Sequence, residues 1–298
     1  MTFNPDSDIS GSNVRKRGRG TAIGVGGGGL AVVAVFLIAQ FTGIDLSGFV
    51  GGGDTSGGSA PLTTSLSEKC KTGEDANENI ECRMAGAGVS IDDFWADNYS
   101  LVSSGEYRTP QFALFEASTT TQGCGGASSA TGPFYCPGDE TIYIDTSFFS
   151  QLQQPPFDTT GGPLAQLYIA AHEWGHHIQA ISGIMESANR TGTGADSDSV
   201  RIELQADCFA GAWVAGASQT EDSSGRTLLE EPSAAEIADA LDAAAAVGDD
   251  RIQAGSGQGV NSEAWTHGSS EQRQRWFNAG REGGPANCDT FSVDGSQL

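Results

Sequence analysis

Basic side chains are scarce in this sequence: 15 Lys and Arg stand against 38 Asp and Glu, a formal net charge of −23. Four of the cations, Arg15, Lys16, Arg17 and Arg19, fall in the first 20 positions, so the acidic excess belongs to the rest of the chain. That balance argues against a nucleic-acid partner, which needs a cationic face for its phosphates. C-x-x-C never occurs among the six cysteines, which argues against a cysteine-held zinc site. Histidine is rarer still, with four in all. Three of them lie in LYIAAHEWGHHIQAISG, residues 167–183, and the fourth is His267.

That stretch predicts an amphipathic helix. Pro163 suits a first turn, Leu164, Leu167, Ala171, Gly175, Ile178 and Ile181 recur at steps of three and four, and Gly183 suits a C-terminal cap. On such a helix His172 and His176 lie one turn apart on one face, so two imidazoles can converge on one ion. Glu173 is rotated to the side, where its carboxylate can reach a metal-bound water without being a ligand. This is H-E-x-x-H, with zinc ligands at its ends and a general base inside. His177 points away and is the poorer ligand. The small and apolar neighbours Ala170, Ala171, Trp174 and Gly175 predict burial, where histidines and a glutamate are costly unless paired or coordinated.

A catalytic zinc takes three protein ligands and keeps one position for water. Gln179 and Ser182 occupy the places where a metzincin carries glycine and histidine, which excludes that class. The third ligand is then His267 or a carboxylate. In SVRIELQADCFAGAW, residues 199–213, Glu203 and Asp207 stand four apart on a second apolar helix. Glu203 is the leading candidate for third ligand, and Asp207 for the acceptor that orients a ligand histidine; Asp207 and His267 compete with Glu203.

AHEWGHHIQ, RIELQADCFAG, GPFYCPGDETIYIDTSFF, GDDRIQ and THGSSEQRQRWF, in this order between about Cys70 and Phe291, resemble the bacterial putative neutral zinc metallopeptidase family. The resemblance implies a zinc-dependent peptidase with His172 and His176 as ligands and Glu173 catalytic. The E-x-x-x-D arrangement also resembles thermolysin-like enzymes with a His₂Glu site.

The expected architecture is α+β, a mainly helical zincin-like metallopeptidase domain with a small sheet over 66–298. A cytoplasmic basic tail (1–20), a single transmembrane helix (21–44) and a Gly/Ser-rich linker (45–65) are expected before it. Thr21 to Ile44 carry no charge and include LAVVAVFLIAQF, and the positive-inside rule would leave the domain outside the cell membrane. A cleaved signal peptide and a soluble glycine-rich tail are the alternatives. They are disfavoured because no A-x-A-like site, consecutive arginine pair or lipidation cysteine is present there. An oxidising exterior suits six cysteines. Fifteen pairings are open, and short separations favour Cys70–Cys82 and Cys124–Cys136, leaving Cys208–Cys288.

Residues 90–99 predict a short helix, and 111–117 and 140–149 predict strands, the second being a candidate edge strand for an extended peptide, or else a core strand. SAAEIADALDAAAAVG predicts a helix capped by Ser233 and Glu236. His267, just before a helix capped by Ser269, is a candidate oxyanion stabiliser, as is Tyr143; ordering a loop is the alternative for His267. The expected function is membrane-anchored, zinc-dependent hydrolysis of peptide or protein substrates with Glu173 as general base. A non-catalytic, membrane-tethered zinc-containing binding module is the alternative.

Overall fold

The computed structural model describes residues 1–17, 62–155, 157–255 and 259–298. Its architecture is α+β, with helices packed beside one small five-stranded sheet. In chain order the strands are β1 (Val14–Arg17), β2 (Leu62–Ser65), β3 (Gln111–Phe115), β4 (Ser118–Thr120), β5 (Gly126–Ser128), β6 (Phe134–Cys136) and β7 (Thr141–Asp145). The main sheet has the order β2-β1-β3-β7-β6, and β4 and β5 form a separate antiparallel pair. β1, β3 and β7 run parallel, while β2 and β6 are antiparallel to their neighbours.

β7 lies inside the sheet between β3 and β6, so the strand within segment 140–149, Thr141–Asp145, is a core strand and β6 is an edge. All five residues of β7 are buried, as expected where a parallel strand is covered on both faces. Alternation sends Ile142 and Ile144 into the main core and Tyr143 to the opposite face, into a second cluster with Phe115 and Phe134.

The N-terminal segment differs from the expected tail. Met1, Phe3, Ile9 and Val14 are no more than 1% exposed, and β1 sits between β2 and β3. Two cations of the cluster that reads as a membrane flank are engaged by the domain itself. Lys16 pairs with Glu81 and Glu116, and buried Arg17 donates to Thr119 and Tyr143. Gly86 makes room for this segment, since a Cβ there would stand 2.5 Å from the Phe3 ring. The expected linker likewise ends in a strand, β2. The expected span 21–44, and the linker as far as residue 61, lie outside the described residues. Among the described residues no helix is long and apolar enough to cross a membrane.

The helices are α1 (Gly73–Glu78), α2 (Ile80–Asn98), α3 (Phe148–Gln151), α4 (Pro163–Ile181), α5 (Ile184–Ser187), α6 (Asp198–Gly216), α7 (Ala234–Ala246), α8 (Asp249–Gly255) and α9 (Ser270–Gly283). α2 begins ten residues before the predicted position. Asn79 caps it by accepting from the N–H groups of Glu81 and Cys82, and its first half, rich in Ala and Gly, shows no large-residue periodicity. α4 starts on Pro163 and is followed by Gly183 in the left-handed region, φ 79°. Ser233 with Glu236, and Ser269 with Gln272, form capping boxes.

α6 packs against both α4 and α9, and the three carry the site. α6 and α9 approach closely because glycines face each other's backbone: a Cβ on Gly211 would meet the Phe277 carbonyl at 1.9 Å, and one on Gly280 the Cys208 carbonyl at 1.8 Å. Disulfides join Cys70 to Cys82, Cys124 to Cys136 and Cys208 to Cys288. The last ties the chain beyond α9 to α6.

Candidate metal centre

α4 and α6 bring three side chains to one point. His172 Nε2 lies 3.2 Å from Glu203 Oε2, and His176 Nε2 lies 3.6 Å from Glu203 Oε1. The two imidazole rings are 4.8 Å apart and close to perpendicular. One donor atom from each of the three residues falls within 4.8 Å of the others, and all three residues are buried. Glu203 Oε1 is buried without a hydrogen-bond partner. A buried carboxylate oxygen left this way is costly, and a cation satisfies it. Two imidazoles and one carboxylate are also the donor set of a catalytic zinc.

Asp207, one turn beyond Glu203, takes the other side of His172. Its Oδ1 lies 2.8 Å from His172 Nδ1 and accepts from the Tyr168 hydroxyl. Arg273, buried on α9, donates Nε to Oδ2 at 2.7 Å and Nη2 to Oδ1 at 2.9 Å. Arg273 was missed by sequence reasoning, because its partner is 66 residues away and no spacing rule connects them. On His176 the corresponding partner is Gln179, whose Oε1 is 2.9 Å from Nδ1.

The electrostatics follow from burial and from these contacts. Burial works to lower the pKa of His172, but Asp207 and Glu203 outweigh it and push it up to about 10. A cation taking Nε2 displaces that proton. Burial holds His176 down to about 4, so it is neutral at pH 7. Burial would raise Glu203, but His176 and His172 hold it well below the usual carboxylate range. Glu173 is pushed up to about 7 by burial, with His172 working against the shift and Glu203 adding to it.

A family model described as "Putative neutral zinc metallopeptidase" matches residues 5–291. The chain belongs to that family. Membership implies Zn²⁺ as cofactor, and His172, His176 and Glu203 are the residues that fit it. The match also takes in the N-terminal segment that packs into the fold. An uncharacterized protein of Mycobacterium tuberculosis (strain H37Rv) is 48% identical over 227 residues, covering 76% of this chain and 75% of its own length. The uncharacterized protein YpfJ of Escherichia coli K12 is 36% identical over 283 residues, covering 92% of this chain and 90% of its own. No solved structure matches.

The remaining candidates take separate places. His177 donates Nε2–H to the Arg108 carbonyl at 2.7 Å and accepts at Nδ1 from the Tyr135 hydroxyl, 3.0 Å away. It ties the metal helix to edge strand β6 and has no nitrogen left for an ion. The backbone N–H of Tyr135, on the same strand, works to lower the pKa of Glu173. Tyr143 is not at the centre, because its hydroxyl is bonded to Arg17 and Asp139 on the far face of the sheet. His267 is outside the three-residue cluster. Its Nδ1 lies 3.2 Å from Asp249 Oδ1, and Asp249 Oδ2 accepts the backbone N–H groups of Thr266, His267 and Gly268. His267 Nε2 is buried with no hydrogen-bond partner. Burial opposes protonation of His267, but Asp249 outweighs it and raises the pKa. Asp249 belongs to the GDDRIQ stretch, to which the sequence attaches no role.

Proposed function

We propose that this chain is a zinc-dependent peptidase of zincin-like design. The observation that carries the reading is the unpartnered, buried oxygen of Glu203 facing two imidazoles, with a carboxyl of raised pKa next in sequence to one of them. His172, His176 and Glu203 would hold the zinc, which would supply Lewis acidity at the site. Glu173 is not a ligand in this scheme. It takes the proton of the attacking water and returns it to the leaving amine, a task suited to a base poised near neutrality. His267, protonated and with its Nδ1–H held by Asp249, donates Nε2–H to the oxyanion of the attacked carbonyl. The outer edge of β6, next to Glu173, takes the place first given to segment 140–149 as the strand along which an extended peptide pairs.

Three disulfides favour an oxidising, extracytoplasmic location. A single crossing at 21–44 would put Met1–Arg17 and the rest of the domain on opposite sides of a bilayer. The pairing of β1 with both β2 and β3 speaks against that topology.

Metal analysis of the full-length chain, with a peptide-library digest, tests the reading. Stoichiometric zinc and cleavage are expected, and Glu173→Gln should keep the zinc and lose about 10²–10⁴-fold in rate. Zinc without any cleavage by the parent chain would favour the non-catalytic binding module. Glu173 argues against that module, since a purely structural site has no use for a buried base beside it.

A further inference from the structure

The two histidines of the metal centre are held by different partners. His172 has a carboxylate; His176 has the amide of Gln179, a fully buried residue one turn along α4. The far end of that amide determines which atom faces the imidazole. Gln179 Nε2 donates to the Ile202 carbonyl at 2.7 Å and to Gln205 Oε1 at 3.1 Å. A carbonyl oxygen can only accept, so the amide nitrogen must face Ile202 and the amide oxygen must face His176. Gln205 is oriented by the same logic, because its Nε2 donates to the Cys288 carbonyl at 2.9 Å and its Oε1 is left for Gln179. Cys288 is in turn fastened to Cys208 on α6.

This pattern fixes the hydrogen on His176. An amide oxygen offers no proton, so Nδ1 of a neutral His176 must carry the hydrogen, which leaves the Nε2 lone pair on the side of Glu203. The Ile202 carbonyl belongs to the peptide unit that leads into Glu203, so the same amide also registers α6 against α4 at the third donor. Two buried glutamines are costly unless fully paired, and here the pairing ends on a ligand imidazole.

We propose that Gln179 is the positioning residue that selects the metal-binding tautomer of His176, with Gln205 and the Cys288 carbonyl holding its amide from behind. The proposal rests on the zinc reading above and goes beyond it by assigning roles to two residues outside the coordination set.

Zinc affinity of the full-length chain, measured by competition with a chromophoric chelator, tests it. Gln179→Met should weaken binding about 10–100-fold, as expected when a partner of a ligand histidine is removed. Gln205→Met should weaken it less. The double variant should be no worse than Gln179→Met alone, because Gln205 acts only through Gln179. Losses that multiply in the double variant overturn the relay. So does a Gln179→Met protein with parental zinc affinity and only a lower melting temperature when zinc-free, the mark of a packing role. One measurement needs no variant: long-range proton–nitrogen spectra of the parent should show His176 protonated at Nδ1, and protonation at Nε2 overturns the proposal. Zinc bound equally by parent and Gln179→Met refutes the relay alone, whereas a parent that binds no zinc refutes the zinc reading as well.

Discussion

Arg273→Met removes the cation from a pair that has no solvent to fall back on. The Arg273 and Asp207 side chains are 3% and 0% exposed, and two guanidinium nitrogens meet both carboxylate oxygens. Without Arg273 the carboxylate keeps only the Tyr168 hydroxyl and His172 Nδ1. Breaking a buried pair from one side costs about 3–5 kcal/mol, because the surviving charge stays buried. At about 2–4 °C per kcal/mol for a domain of this size, that is a fall of roughly 6–20 °C in the melting midpoint. Calorimetry on the zinc-free full-length chain reads it directly. Asp207→Asn in the Arg273→Met background should recover most of the loss, since the stranded charge is then gone. A midpoint for Arg273→Met within a degree or two of the parent would refute the claim that this pair is sealed. A double variant no better than the single would show that packing, and not charge, is what Arg273 supplies.

Other outcomes follow from the same geometry. Glu203→Ala should lose zinc, because two imidazoles are too few to hold it, whereas His267→Ala should keep zinc and lose about 10²–10³-fold in kcat. The reverse pattern in a metal assay would make the donor set three histidines. His177→Leu should bind zinc like the parent, since neither ring nitrogen is available to an ion. Burial holds His177 down to about 4, with the Arg108 carbonyl working the other way. The unfolded chain takes up that proton near ~6.5, so the contribution of neutral His177 is full above that pH and is lost as pH falls towards 4. Melting midpoints between pH 7 and 4 should therefore fall less steeply for His177→Leu than for the parent, and equal slopes would remove His177 from the acid response.

The parts of the site that sequence made legible are local. His172, Glu173 and His176 lie within one helical turn of one another, and Glu203 with Asp207 within another, so periodicity alone aligns them. The parts it hid are the long-range partners. Arg273 reaches Asp207 only because Gly211 and Gly280 let α6 and α9 close on each other. Gln179 read only as a departure from a metzincin spacing, since its meaning depends on the Ile202 carbonyl of another helix. β6 has three residues, too few for alternation to register. The N-terminal cations show the same limit: beside an uncharged run they read as a membrane flank, while the acids that engage Lys16, Glu81 and Glu116, come much later in the chain.

Arg17 and Leu62 are paired across adjacent strands, so the chain leaves the sheet and rejoins it at the same place. Residues 1–17 are therefore part of the domain's sheet and core. A chain supplied as two pieces, divided between Arg17 and Leu62, tests this. The short piece would supply β1 to the sheet and Phe3 to the recess at Gly86. The two pieces should be able to reassemble by complementation, as a split protein does. A chain beginning at residue 62 would expose one edge of β3 and the apolar slot left by Phe3, and adding a peptide of residues 1–17 should restore both.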